Sequence, residues 1–181
     1  SKPYEDPAAF TALLDSVEAA LTERAGHPVR CGPIVITFFS AGYGAVRELL
    51  KHPAHYDRIN GLVSADSIYA SVVADAVRAP EAAQMVDFQR FAQAAARGEK
   101  TFILVHGGYA TPYASTAECA DLLLASVAGQ RVQRRRENEQ GFSTASEAHV
   151  GSFHLYTFDV DEGYIHVECM RMIPELVREH L

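Results

Sequence analysis

Residues 33–39 read PIVITFF, apolar except for Thr37 and without the alternation of a half-buried strand. Such a run predicts a strand of a parallel sheet, covered on both faces and paired on both sides. Ser40 and two closely spaced glycines follow, and then Ala45, Val46, Leu49 and Leu50 recur at helical spacing. Arg47, Glu48 and Lys51 take the opposite side, so a helix is expected from about Gly42 to the stop at His52 and Pro53. Three further apolar runs, at 59–65, 101–106 and 152–158, predict three more strands.

The segments between them carry helical patterns with recognisable ends. Asp6 before Pro7 marks a start and Gly26 a stop, with Phe10, Leu13, Leu14, Val17 and Leu21 on one face. Residues 81–97 place Met85, Phe88, Phe91 and Ala92 together. Ser115 and Glu118 have capping-box spacing and lead into Leu122, Leu123, Leu124 and Val127. Residues 164–180 form the last helix, with Ile165, Cys169, Met172, Ile173, Leu176 and Val177 facing inward and Pro174 placed to bend it. Residues 68–79 read as a helical or mobile segment, and residues 130–150, polar and without a period, as a long loop.

Strands alternating with helices predict an α/β fold over residues 1–181 as one domain, with a mostly parallel sheet and helices on both faces. All four strand ends then deliver loops to one edge of the sheet, where ligands of such folds bind. The length and 48% hydrophobic composition suffice for a sizeable core. A net charge of −7 argues against nucleic acid or an anionic membrane as the main partner. Arg131, Arg134, Arg135 and Arg136 are followed by Glu137 and Glu139, the pattern of a solvated loop. Cys31, Cys119 and Cys169 have no metal-binding spacing and read as buried thiols, which favours a reduced, cytoplasmic compartment. No run reaches membrane-spanning length, no HExxH or comparable metal motif occurs, and no cofactor is called for. The chain begins at Ser1 without a signal peptide, which reads as a processed or tag-derived end.

Ser40, Asp66, His106 and His166 all fall at or soon after predicted strand ends and so should share that edge. A serine at a strand-to-helix corner is held beside the first free N–H groups of the helix, the presentation a nucleophile needs, although serine also serves as a helix N-cap. A serine hydroxyl requires an imidazole base at neutral pH, and the base requires an orienting carboxylate.

In the window Phe38-Phe39-Ser40-Ala41-Gly42 the chain resembles the α/β-hydrolase superfamily, whose nucleophile elbow reads Gly-x-Ser-x-Gly. The second glycine matches, and Phe38 stands where the first would be, needing extra room from the neighbouring strand. The order Ser, Asp, His is also the superfamily's. The resemblance implies Ser40 as nucleophile, His166 as base, Asp66 as the acid with Asp161 in reserve, and the Ala41 N–H as an oxyanion donor. His106, Tyr43 and Tyr109 then line the substrate pocket, His106 in a supporting role. Asp66 could equally cap the segment behind it, and His166 could be an ordinary helix-end histidine.

The resemblance covers nearly the whole chain but only the C-terminal half of the superfamily's fold, because just 39 residues precede Ser40. The strand at 33–39 would keep a free edge, and half of the oxyanion hole would be missing. The expectation is therefore a companion N-terminal chain or, second, a homo-oligomer, with the chain alone poorly soluble or inactive. The function implied is a serine hydrolase of esterase or amidase type. The alternative is a non-catalytic binding or interaction subunit with a hydrolase-like sheet. A flavodoxin-like nucleotide binder comes third, since no glycine-rich phosphate loop is present.

Overall fold

The computed structural model describes residues 2–73, 78–137, 141, 143–158, 160 and 162–181. Strands Ile34–Phe39 (β1), Ile59–Ala65 (β2), Thr101–His106 (β3), Val132–Glu137 (β4), Ser143–Val150 (β5) and Phe153–Thr157 (β6) form one six-stranded sheet in the order β1-β2-β3-β6-β5-β4. The pairs β1–β2, β2–β3 and β3–β6 are parallel, whereas β5 runs antiparallel to β6 and β4 antiparallel to β5. The fold is α/β with a mixed sheet.

Successive parallel strands step in one direction, so right-handed crossovers stack their helices on one face. That face carries Pro7–Ala25 (α1), Tyr43–Leu50 (α2), Pro53–Arg58 (α3), Ala82–Ala96 (α4) and Thr116–Ser126 (α5). Leu62, Phe102, Leu104 and Leu155 of the sheet meet Phe10, Leu50, Phe88, Phe91 and Leu123 there. On the other face Val63, Ile103, Val105 and Tyr156 pack under Ile165–Arg171 (α6) and Ile173–His180 (α7) through Ile165, Cys169, Met172 and Leu176. Among the described residues no helix is long and apolar enough to cross a membrane.

Four expectations are corrected. Within the stretch expected to be a loop, Val132–Glu137 and Ser143–Val150 are β4 and β5, and Arg134 and Arg136 are ion-paired on the edge strand β4, with Glu147 at 2.9 Å and Glu175 at 3.0 Å. Glu139 lies outside the described residues. Pro53 does not merely end a helix; it opens α3, where its missing N–H costs nothing. Residues 164–180 are two helices divided at Met172, with Pro174 in the first turn of the second. The described part of 68–79 is extended rather than helical, tied by bridges from Ala70 to Ala114 and from Val72 to Pro80, while 74–77 lie outside the described residues.

Among the described residues β1 pairs with β2 alone and so forms the sheet's edge. The neighbour expected on its other side is not found among them, and its cover is partial, with Phe38 buried but Val35 39% exposed. Along its helix-bearing face runs an apolar groove of about 590 Å³, bounded by Phe10, Leu13 and Leu14 of α1 and by Val46 and Leu49 of α2.

Candidate functional site

β1 and β2 run in register to their ends, with Phe39 opposite Ala65, so Ser40 and Asp66 leave neighbouring strands side by side. Both turn through left-handed backbone, φ 54° at Ser40 and 42° at Asp66, which L side chains adopt only when the surroundings hold them. The buried Ser67 hydroxyl helps by donating to the Ser40 carbonyl at 2.7 Å. A short 3₁₀ turn, Ser40–Gly42, then leads into α2. The Ser40 side chain does not cap that helix: Gly42 precedes it, and no side chain bonds to its first N–H groups.

Gly42 is the close-packing position of the corner, since a Cβ there would lie 3.1 Å from Phe38 Cβ. Phe38 stands opposite the small Ser64 of β2, which leaves it room on the neighbouring strand, and its ring stacks on Phe88 of α4 with centroids 6.4 Å apart.

Asp66 caps no helix. Its Oδ2 accepts the Nδ1–H of His166 at 2.8 Å, from the first turn of α6, and the Tyr109 hydroxyl at 2.6 Å. The Tyr109 oxygen is also 3.0 Å from His166 Nδ1 and 3.0 Å from the Tyr69 hydroxyl, which donates to the Asp66 carbonyl at 2.9 Å. The Asp66 side chain is 2% exposed and that of His166 23%. The His166 ring rests against Phe39, centroids 4.3 Å apart, beside Ser40 in the chain. With Nδ1 committed to Asp66, Nε2 is the nitrogen left to take a proton. Among the described residues no hydrogen bond joins it to Ser40.

Tyr109 reaches this position on the loop behind β3. A Cβ on Gly107 would sit 2.7 Å from Ile165 Cγ2, so only glycine lets the loop pass α6 this closely. Arg78 fastens the loop's far end by donating to the carbonyls of Thr111 and Tyr113 at 3.0 and 2.9 Å and to Glu118 at 2.6 Å. Burial pushes the Tyr69 hydroxyl up to about 12. Burial, reinforced by Asp66, raises that of Tyr109 as well, so both phenols stay protonated.

The remaining predicted residues lie around this network. Tyr43 meets the Tyr69 ring edge-on at 5.4 Å. Ala41 is exposed in the 3₁₀ turn. His106 is buried; its Nδ1–H donates to the Gly107 carbonyl at 2.8 Å and Nε2 lies 3.3 Å from Thr157 Oγ1, so none of its hydrogen bonds reaches Asp66 or His166. Burial lowers its pKa, keeping it neutral. Asp161, like Asp159, lies outside the described residues. Among the described residues no group of three His, Cys, Asp or Glu side chains could hold a metal ion. What sequence reasoning did not find is that Tyr109 bonds the carboxylate; the one local signal is the glycine pair before it. Comparison with protein-family models, with curated proteins and with solved structures finds no match to this chain.

Proposed function

We propose that this chain is a serine hydrolase of esterase or amidase type, or the catalytic portion of one, resembling the α/β-hydrolase superfamily from the nucleophile elbow onward. The observation that carries the reading is the His166–Asp66 pair at the end of β2, next to a serine held at φ 54° at the end of β1. In this reading Ser40 Oγ attacks an ester or amide carbonyl while His166 Nε2 takes its proton. Asp66 holds the ring and stabilises the imidazolium, and the Ala41 N–H donates to the oxyanion. His166 then returns the proton to the leaving group, and water releases the acyl chain by the same steps. The second oxyanion donor would come from strands that meet the free edge of β1, supplied by a companion chain or a second copy.

The test is acylation by p-nitrophenyl acetate, read as a burst of nitrophenolate and as an acetylated residue in the mass spectrum. Acetyl on Ser40, absent from Ser40→Ala, is expected; acetyl spread over lysines with no burst would overturn the reading. A non-catalytic interaction subunit is the second reading, favoured by the exposed edge of β1 and by the lack of a hydrogen bond between Ser40 and His166.

A further inference from the structure

We infer that Tyr109 is a positioning residue, a phenol that shares the Asp66 oxygen with His166 and thereby fixes the tautomer and the angle of the imidazole. The argument is a count of protons. Tyr109 has one, and it goes to Asp66 Oδ2 at 2.6 Å. The lone pairs of its oxygen therefore face outward, one toward His166 Nδ1 at 3.0 Å, while the Tyr69 oxygen, 3.0 Å away, has a single proton to divide between Tyr109 and the Asp66 carbonyl. His166 Nδ1 thus meets two acceptors, Asp66 Oδ2 and Tyr109 Oη, and no donor. A neutral imidazole in that place carries its proton on Nδ1, leaving Nε2 as the base.

The same bonds act on the carboxylate. Oδ2 receives both the phenol and the imidazole N–H, which fixes the carboxylate against the ring. Tyr69 holds the main chain of the same residue through the Asp66 carbonyl, at the left-handed turn. Tyr109 is well suited to the part, because burial among these groups keeps its proton on the oxygen. Its place on the loop depends on Gly107 passing Ile165, the neighbour of His166 on α6.

This inference rests on the hydrolase reading for its kinetic meaning, but not for its test. In Tyr109→Phe the ring stays and only the hydroxyl goes. His166 Nδ1 then keeps one acceptor, Asp66 Oδ2, and Asp66 loses the phenol as a donor. The experiment is ¹⁵N NMR of the His166 ring, which reports the nitrogen that carries the proton, in the wild-type chain, in Tyr109→Phe and in Asp66→Asn, with ester hydrolysis followed in parallel. The expected result is a ring protonated on Nδ1 in the wild type and a mixture of the two tautomers in Tyr109→Phe and, more so, in Asp66→Asn. In Tyr109→Phe kcat should fall about ten- to a hundredfold with KM nearly unchanged. Identical ring ¹⁵N signals in wild type and Tyr109→Phe would overturn the positioning role, as would a change in KM alone, the mark of a pocket-lining tyrosine. A changed tautomer together with ester turnover unaffected by Ser40→Ala would support the role of Tyr109 and sink the hydrolase reading instead.

Discussion

His166 and Asp66 stand 100 residues apart in the chain and meet through a 2.8 Å hydrogen bond from Nδ1 to Oδ2. Asp66 is sealed from solvent while His166 keeps part of its ring open, the arrangement the proposed reading requires of a carboxylate that orients an imidazole whose far nitrogen does the chemistry. His166→Ala should therefore lower ester turnover by several orders of magnitude, and Asp66→Asn by roughly 10⁴-fold through loss of the correct tautomer. His106→Ala should cost far less, because its hydrogen bonds go to Gly107, Thr157 and Arg131 and not to Asp66 or His166. Steady-state kinetics on folded variants decide the matter, and a His106→Ala loss equal to that of His166→Ala would move the base to β3.

Glu118 serves two masters. Its Oε2 accepts the Ser115 N–H at 2.8 Å in the capping box, and its Oε1 receives Arg78 at 2.6 Å, the residue that fastens the loop carrying Tyr109. Arg78, more than the cap, holds the Glu118 carboxyl below its usual range. Glu118→Ala should destabilise the chain by about 1–3 kcal/mol in urea unfolding, and Glu118→Gln, which can still cap, by less. Equal losses in the two variants would mean that the charge on Glu118 contributes everything and the cap nothing.

A cluster of histidines sets a pH dependence of stability. His154 stacks on His180 with centroids 4.1 Å apart and meets His149 at 2.7 Å between Nδ1 atoms. Burial, then the charges of His180 and His149, push His154 down to about 4, against the pull of Glu179. The unfolded chain, with its ordinary imidazole, takes the proton first, so stability should hold above pH 6.5 and fall progressively toward pH 4. His180, lowered chiefly by burial, acts with the same sign. Melting temperatures measured across that window should fall, and less steeply in His154→Gln. Parallel curves for the two proteins would contradict this.

The sequence was legible where burial is complete. β2 and β3 span the very residues whose apolar runs announced them, and Asp6, Gly26, Ser115 and Glu118 mark helix ends because their caps are local chemistry. The β4–β5 pair left no such mark. The buried positions of β5 include Thr144, Ser146 and Ala148, too small and polar to show a period, and β4 is an edge of arginines held by ion pairs. Ser40, Asp66 and His166 could be singled out because strand ends can be read. The bond from Tyr109 to Asp66 could not, since it depends on how closely Gly107 passes Ile165, a distance no pattern encodes.

The free edge of β1 has no charged residue along Ile34–Phe39 to discourage pairing, and its groove is apolar. The chain alone should self-associate at micromolar concentration and turn over substrate poorly until strands that complete this edge are supplied. Thr37→Lys, on an exposed position of β1, should shift sedimentation toward monomer. A wild-type chain that sediments as a monomer and turns over ester rapidly would show that the edge needs no partner.

The central claim, that Ser40 is a nucleophile activated by His166, is tested most directly with a fluorophosphonate probe, because the proposed nucleophile, base and acid all belong to this chain. After tryptic digestion the label should sit on Ser40 within residues 31–47. It should be absent in Ser40→Ala, slowed by orders of magnitude in His166→Ala, and slowed in Asp66→Asn. A folded chain that the probe leaves unlabelled, or a label on Ser40 that forms as fast in His166→Ala as in the wild type, would contradict the account.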